Sequence, residues 1–242
     1  KGAYDKVYPA SITKIMTAML ALQSGKLNDT VTITQDNVTL EDGSQVCGFV
    51  AGDQVTLDQL LHCLLVYSGN DAASAIAEYV GGSTENFVQM MNDYAAKLGC
   101  TGTHFSNPHG LQDENHYTTP YDIYLMLNEA FTYPEFTELP SYTVTYTGSD
   151  GTEKSTTLTA TDHYLTGEAT APKDVTILGG KTGTTEVAGN CLAILTQNAY
   201  GKTFVSIVMG ADTKELLYQE MNSQLSLIVS VLCYRKFSAM FL

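Results

Sequence analysis

Residues 9–25 read PASITKIMTAMLALQSG, and the helical half of the molecule can be worked out from this stretch. Ser11 and Lys14 stand three positions apart, so they share one face of a helix. Apolar residues recur behind them at helical spacing, namely Ile12, Ile15, Met16, Met19, Leu20 and Leu22. Gly25 is typical of a helix C-terminus. The pattern predicts a helix from Ser11 to Ser24 with a polar pair in its first turn.

This polar pair has the residue types that nucleophilic catalysis requires. A serine hydroxyl is a poor nucleophile until a base removes its proton, and a lysine that burial or a nearby cation keeps neutral can act as that base. Backbone N–H groups at a helix start also point toward any oxyanion that forms there. By itself, however, the Ser11–Lys14 pair is equally typical of a helix cap beside a solvated charge.

A second polar cluster, Ser68-Gly69-Asn70, lies between two predicted helices. The segment TLDQLLHCLLV, residues 56–66, precedes it and predicts an apolar helix with Thr56 as N-cap. A loop at this point would present a hydroxyl and a side-chain amide, which could move a proton or hold an amide bond. The same three residue types are also common in ordinary turns, so alone they favour no function.

A third cluster is the glycine-rich segment GGKTGT at residues 179–184, at the end of a predicted strand. Its glycines allow close approach of a ligand or another backbone. Lys181 and Thr182 are suited to binding a carboxylate, although a solvated lysine is the simpler interpretation. The segment does not fit a phosphate-binding loop of the form G-x-x-x-x-G-K-[ST], because Val175 stands where the first glycine is required.

The rest of the chain predicts an α/β (α+β) fold with an antiparallel sheet flanked by helices. Further helices are predicted at residues 71–80, 83–98 and 119–131, a β-like run at 31–34, a hairpin over 141–159 and a closing helix over 213–232. Strands are predicted at 174–182, 190–196 and 203–209. We interpret residues 1–242 as a single catalytic domain with a helical lobe at about 11–140 and a sheet lobe at about 141–242.

Composition excludes several classes of function. The 242 residues carry a formal net charge of −14 and contain no basic run, which disfavours nucleic-acid binding. Five cysteines without C-x-x-C spacing, and histidines without a third ligand nearby, predict neither a metal site nor any other cofactor. A bilayer span needs about 20 apolar residues, and the apolar stretch 225–242 is interrupted by Arg235 and Lys236. No signal peptide opens the chain, so we expect it to be cytosolic or to have lost its targeting segment.

Taken together, the three clusters resemble a known family. S-x-x-K, S-x-N and K-T-G each occur once, in the order helix start, inter-helix loop and strand that the serine penicillin-recognising enzymes use. The stretches PAS at 9–11, SGNDAA at 68–73, THFSNPHGL at 103–111 and KTGT at 181–184 are similar to those of the low-molecular-mass penicillin-binding proteins. These are serine-type D-alanyl-D-alanine carboxypeptidases of the β-lactamase/transpeptidase-like fold, and the resemblance extends from about Tyr8 to Gly210.

The resemblance implies a catalytic role for four residues. Ser11 would be the acylated nucleophile and Lys14 its general base, while Ser68 and Asn70 would relay a proton and bind the substrate amide. The reaction would be acyl transfer on a peptidoglycan stem peptide ending in D-Ala-D-Ala, with release of the last D-alanine and hydrolysis of the acyl-enzyme. A β-lactam antibiotic would enter the same path and stall at the second step. No metal or cofactor is implied.

The resemblance also implies a substrate-binding strand. Lys181 and Thr182 would hold the terminal carboxylate, Lys181 would help to keep Lys14 neutral, and Gly183 belongs to the same motif. The backbone N–H groups of Ser11 and Thr184 would form the oxyanion hole. The protein would act outside the cytoplasm in a bacterial cell envelope, and any membrane association would come from segments that this chain does not contain.

Three departures from the family pattern affect the expectations. The family places two strands before the Ser11 helix, but only ten residues precede Ser11, so we expect the sheet to lack those N-terminal strands and to leave an edge unpaired. The family commonly has an arginine after the last strand, whereas Lys214 is the only basic residue between 211 and 224, which makes carboxylate binding less assured. The segment 223–242 does not look like the usual family ending.

Two alternatives remain open at the level of sequence. A serine β-lactamase-like hydrolase shares all three motifs, but class A lactamases deacylate through a glutamate, and no glutamate here begins their E-x-x-L-N stretch. A catalytically silent penicillin-binding module is the other alternative. The intact Ser11 and Lys14 disfavour it, since a pure binding protein has no need of that pair.

Overall fold

The computed structural model describes residues 2–134, 136 and 139–231. It has a mixed α/β fold with antiparallel sheets and helices, as the sequence predicts. The helices are α1 (Lys14–Gln23), α2 (Gln35–Val38), α3 (Leu57–His62), α4 (Asn70–Gly81), α5 (Thr84–Leu98), α6 (Pro120–Ala130), α7 (His163–Thr166) and α8 (Lys214–Ile228). The strands are β1 (Thr30–Thr32), β2 (Gln54–Thr56), β3 (Ser141–Thr147), β4 (Glu153–Thr159), β5 (Val175–Thr185), β6 (Gly189–Asn198) and β7 (Thr203–Ala211).

The predicted helices form where their terminal residues predict them. Thr56 caps α3 in a capping box, in which its hydroxyl accepts the Gln59 N–H and the Gln59 side chain accepts the Thr56 N–H. Pro120 occupies the first turn of α6, where its missing N–H costs nothing. The helix predicted from Ser11 is confirmed with one difference. Its first turn, Ala10–Thr13, is a 3₁₀ turn that we call the Ser11 turn, and α1 begins at Lys14.

Helix α1 lies at the centre of the helical part of the molecule. All of its residues from Lys14 to Ala21 are buried, and it packs against α3, α4, α5 and α6. Lys14 is among the largest side chains that are fully buried. The core therefore surrounds the polar pair on every side except the one that Ser11 faces.

The first sheet contains the predicted hairpin. The hairpin β3–β4 forms as predicted, but it pairs with β2 in a sheet of order β1-β2-β3-β4, not with the strands that follow it. Asp53 accounts for this pairing, because its carboxylate accepts the Ser149 N–H at 2.9 Å and lies 3.2 Å from the Lys154 ammonium. The hairpin is therefore joined through β2 to a strand that precedes α3.

The second sheet has the order β5-β6-β7 and carries the third polar cluster. Helix α8, which the sequence predicts, covers it through Leu217, Met221 and Leu225. Among the described residues this sheet has three strands. The end of the predicted closing helix at 232, like the segment 232–242, lies outside the described residues. Among the residues described, none of the helices is long and apolar enough to span a bilayer.

Candidate active site

The Ser11 turn lies directly against strand β5. Ala10 has a φ of +47°, unusual for a residue with a side chain, and half-buried Ser11 follows it. A Cβ atom on Gly183 would lie only 3.0 Å from both the Ser11 nitrogen and the Pro9 carbonyl oxygen. The glycine is therefore required for the close approach of β5, and the structure brings the first and third polar clusters together.

Lys14 is fully buried and has three polar neighbours. Its Nζ lies 2.8 Å from Ser11 Oγ, 2.7 Å from Asn70 Oδ1 and 2.7 Å from the His109 carbonyl oxygen. Burial, and then the nearby charge of Lys181, lower the pKa of Lys14 well below its ordinary value. The sequence-based expectation that Lys181 helps to keep Lys14 neutral therefore agrees with the direction of this shift.

The geometry of these contacts assigns the hydrogens of a neutral amine. Such an amine has two N–H groups and one lone pair, and the two oxygens of Asn70 and His109 can only accept. They take both N–H groups, so the lone pair faces Ser11 Oγ. A hydroxyl donating to that lone pair is a serine poised to lose its proton.

The second cluster, Ser68-Gly69-Asn70, closes one side of the same site. Ser68 follows a π-helical turn at Cys63–Tyr67 and adopts the left-handed conformation with φ +66°. Its buried Oγ has no hydrogen-bond partner in the part of the chain that the structure describes. Asn70 begins α4 and donates its N–H to the Gln45 carbonyl oxygen at 2.8 Å. The structure thus leaves the Ser68 hydroxyl available and fixes Asn70 on Lys14.

Strand β5 supplies the opposite wall. Lys181 is fully buried and donates to the Thr182 carbonyl oxygen at 3.0 Å, among other interactions. The Thr182 hydroxyl lies 2.5 Å from that of Thr161, and Thr184 donates to Asn190 Oδ1 at 3.2 Å. All eight residues predicted from the motifs therefore meet around one site, at the Ser11 turn, the start of α4 and β5.

Between these walls lies a cleft of about 300 Å³ with a mixed polar and apolar lining. Its lining includes Ser11, Ser68, Asn70, Thr182, Gly183 and Thr184 from the motifs, and Gln45, His109, Thr161, Asn190, Lys214 and Tyr218 from elsewhere. The second group was not predicted as site residues. In the part of the chain covered by the structure, no three His, Cys, Asp or Glu side chains are grouped to hold a metal ion.

His109 is the most direct of the unpredicted contributors, since its backbone oxygen holds Lys14. The sequence favours a purely structural role for it, although the stretch THFSNPHGL could have indicated that the loop approaches the site. Its imidazole lines the cleft, and burial lowers the pKa of His109 to about 3, with a smaller effect from Lys14. The ring is therefore neutral at physiological pH.

Comparisons of the sequence and of the structure with known proteins find the same kind of protein. The family model for D-alanyl-D-alanine carboxypeptidases (Peptidase S11) matches residues 1–213. The carboxypeptidase DacF of Bacillus subtilis is 33% identical over 93% of this chain and 56% of its own length. The carboxypeptidase DacC of Escherichia coli is 35% identical, again over 93% of the chain and 56% of its own length. The chain therefore spans little more than half the length of these curated relatives.

Solved structures show the same similarity. A Streptomyces DD-transpeptidase superposes with a TM-score of 0.83 at 28% identity, covering 95% of this chain and 89% of that one. A D-alanyl-D-alanine carboxypeptidase from Mycobacterium tuberculosis gives a TM-score of 0.79 at 28% identity, covering 91% and 81%. The chain belongs to the Peptidase S11 family of serine-type D-alanyl-D-alanine carboxypeptidases, as a homologue of the low-molecular-mass penicillin-binding proteins.

Proposed function

We propose that this chain is a serine D,D-carboxypeptidase that removes the terminal D-alanine of peptidoglycan stem peptides through an acyl-enzyme on Ser11. One observation carries the proposal. Fully buried Lys14 holds its Nζ 2.8 Å from Ser11 Oγ, and burial lowers the pKa of this lysine. In the neutral amine, Asn70 Oδ1 and the His109 carbonyl oxygen accept both N–H groups, which leaves the lone pair for Ser11. A silent binding module has no use for an amine held in this state, so the geometry favours catalysis.

The first chemical step is acylation. Lys14 takes the proton of Ser11 as Oγ attacks the carbonyl carbon of the D-Ala-D-Ala peptide bond. The resulting oxyanion lies between the backbone N–H groups of Ser11 and Thr184, at the close approach of the Ser11 turn to β5. The Ser68 hydroxyl, which is buried beside the cleft with no hydrogen-bond partner among the described residues, gives its proton to the leaving amine and takes in exchange the proton that Lys14 removed from Ser11. D-Alanine departs, and water then hydrolyses the ester.

The carboxylate of the substrate binds along β5. Thr182 presents its hydroxyl to the cleft, and the fully buried Lys181 lies behind it. Gly183 allows the substrate backbone to approach the strand. Lys214, at the start of α8, lines the same cleft and supplies the cation that the family's arginine would provide.

β-Lactams enter the same path, because their strained amide presents a carbonyl carbon and a carboxylate in the same positions. No E-x-x-L-N glutamate is available to activate water, so the acyl-enzyme should persist. Rapid turnover of a chromogenic cephalosporin would instead favour the β-lactamase alternative. We place the activity in a bacterial cell envelope.

The test is the mass of the intact chain after incubation with benzylpenicillin. We expect one adduct of the mass of the antibiotic, located on Ser11, and release of D-alanine from a peptide ending in D-Ala-D-Ala. Ser11→Ala is the control and should show neither. A folded wild-type chain without an adduct would favour the silent binding module.

Lys214 provides a second prediction. Lys214→Met should raise the KM for a peptide with a terminal carboxylate about fivefold, because an exposed ion pair contributes roughly 1 kcal/mol. The kcat should change little, since a contact to the carboxylate stabilises the ground state and the transition state alike. Lys202→Met, an equally exposed lysine on the β6–β7 turn, is the matched control for net charge. Equal KM values for the two variants would remove Lys214 from the carboxylate site.

A further inference from the structure

A histidine that the proposed reaction does not use is buried behind the Ser11 turn. His116 is 2% exposed, and its Nε2 lies 2.7 Å from the Thr13 hydroxyl oxygen. That hydroxyl in turn donates to the Ala10 carbonyl oxygen at 2.8 Å. A chain of two hydrogen bonds therefore joins the imidazole to the residue that precedes the nucleophile.

The hydrogen bonds also assign the tautomer of the ring. The Ser106 backbone N–H donates to Nδ1 at 3.0 Å, so Nδ1 carries no proton and Nε2–H donates to Thr13. Burial lowers the pKa of His116 to about 4, and the Asp113 carboxylate opposes this only in part. The ring is neutral at physiological pH, with its donor directed at Thr13.

The Ala10 carbonyl, which accepts the Thr13 hydroxyl, lies in the same peptide plane as the Ser11 N–H. A peptide unit is planar and trans, so fixing the direction of the Ala10 C=O fixes the Ser11 N–H in the opposite direction. This fixation matters because Ala10 adopts a φ of +47°, which costs about 1 kcal/mol for a residue with a side chain and persists only when neighbours hold it.

We infer that His116 is a positioning residue which, through Thr13, aims the Ser11 N–H into the oxyanion hole. The inference rests on the proposed function, because an oxyanion forms at Ser11 only if Ser11 is acylated. Without the imidazole donor, the Thr13 hydroxyl can rotate away and donate elsewhere. The Ala10–Ser11 peptide then relaxes toward ordinary backbone angles, and the N–H no longer points at the developing charge.

Variants at both ends of the chain of bonds test this inference. His116→Phe removes both ring nitrogens at similar size, and Thr13→Val removes the hydroxyl at similar shape. Losing an oxyanion donor outright costs about 10² to 10³ in rate, so a misaimed donor should slow acylation by penicillin about 10- to 50-fold in either variant. The double variant should be no slower than the single ones, because both remove the same connection.

Two further measurements separate positioning from a general loss of structure. Phenylboronic acid forms a bond from Ser11 Oγ to boron, releases the hydroxyl proton to Lys14 and places a negative oxygen in the oxyanion hole. Its affinity should fall by the same factor as the acylation rate, while the Kd of the non-covalent penicillin complex should stay within about twofold of wild type, since ground-state binding needs no oxyanion donor. Thr13→Ser keeps the hydroxyl and should restore most of the rate.

His104→Phe is the matched control, since this exposed histidine lies in the same loop without reaching the Ser11 turn. It should acylate at the wild-type rate. If His116→Phe fails to fold, Thr13→Val and Thr13→Ser still compare the same connection. Unchanged acylation and boronate affinity in Thr13→Val would overturn the inference and leave the proposed function intact. A wild-type chain that penicillin does not acylate would overturn both.

Discussion

Lys14→Arg is expected to slow acylation by penicillin roughly 10⁴-fold, a loss of the size seen when a catalytic base is removed. Arginine also carries a long basic side chain, but its guanidinium stays protonated at every accessible pH and has no lone pair to receive the Ser11 proton. The measurement is the second-order rate constant with a fluorescent penicillin. Retention of more than a tenth of the wild-type rate would show that Lys14 is not the base.

The same role gives the acylation rate a defined pH dependence. Below the lowered pKa of Lys14 the amine is protonated, so the wild-type rate should rise with pH through that pKa and level off above it. The charge of Lys181 is the second cause of the lowered pKa, after burial. Lys181→Met removes this repulsion, raises the pKa of Lys14 and should move the rising limb to higher pH. If the rising part of the pH–rate profile stays in place in Lys181→Met, or moves to lower pH, the assignment of Lys14 as the base is contradicted.

Most individual elements follow from local sequence because their determinants are local. The Thr56 capping box, Pro120 at the start of α6 and the turn between β3 and β4 each lie within a few residues of the element that they define. The partner of the β3–β4 hairpin does not, since it depends on contacts from Asp53 to residues 96 and 101 positions later. The alternation of residue types along the two strands predicts a hairpin, but it does not indicate which sheet the hairpin joins.

The site also has some features that the sequence predicts and others that it does not. Spacing explains why Ser11 and Lys14 meet, and the resemblance to a known family supplied the order of the three motifs. What sequence could not provide was the loop that completes the environment of Lys14, because the contact is made by the His109 backbone oxygen, an atom that every residue type has. The connection from His116 to Ala10 is equally invisible in sequence, since it depends on a ring tautomer and a strained φ.

Gly110→Ala should destabilise the protein by about 4 kcal/mol, the largest stability effect that we expect from a single added methyl group. Gly110 has a φ of +90°, and a Cβ atom there would overlap the Ala10 carbonyl oxygen and lie 2.9 Å from Thr13 Oγ1. Neither the backbone of the Ser11 turn nor the buried Thr13 can move aside cheaply. The free energy of unfolding in urea measures the loss, and the penicillin acylation rate of the folded fraction should fall as well.

Gly99→Ala separates the two causes of that loss, because Gly99 has a φ of +86° at the end of α5 but nothing within 4 Å of the position that a Cβ would occupy. It should cost only about 1 kcal/mol, the strain of a left-handed residue alone, and should leave acylation unchanged. The difference between the two variants in lost free energy of unfolding then measures how tightly the loop at Gly110 packs against the Ala10 carbonyl. Equal losses of stability would mean that the loop at Gly110 moves to accommodate the methyl group. The shape of the Ser11 turn would then depend on its own residues and not on the loop packed against it.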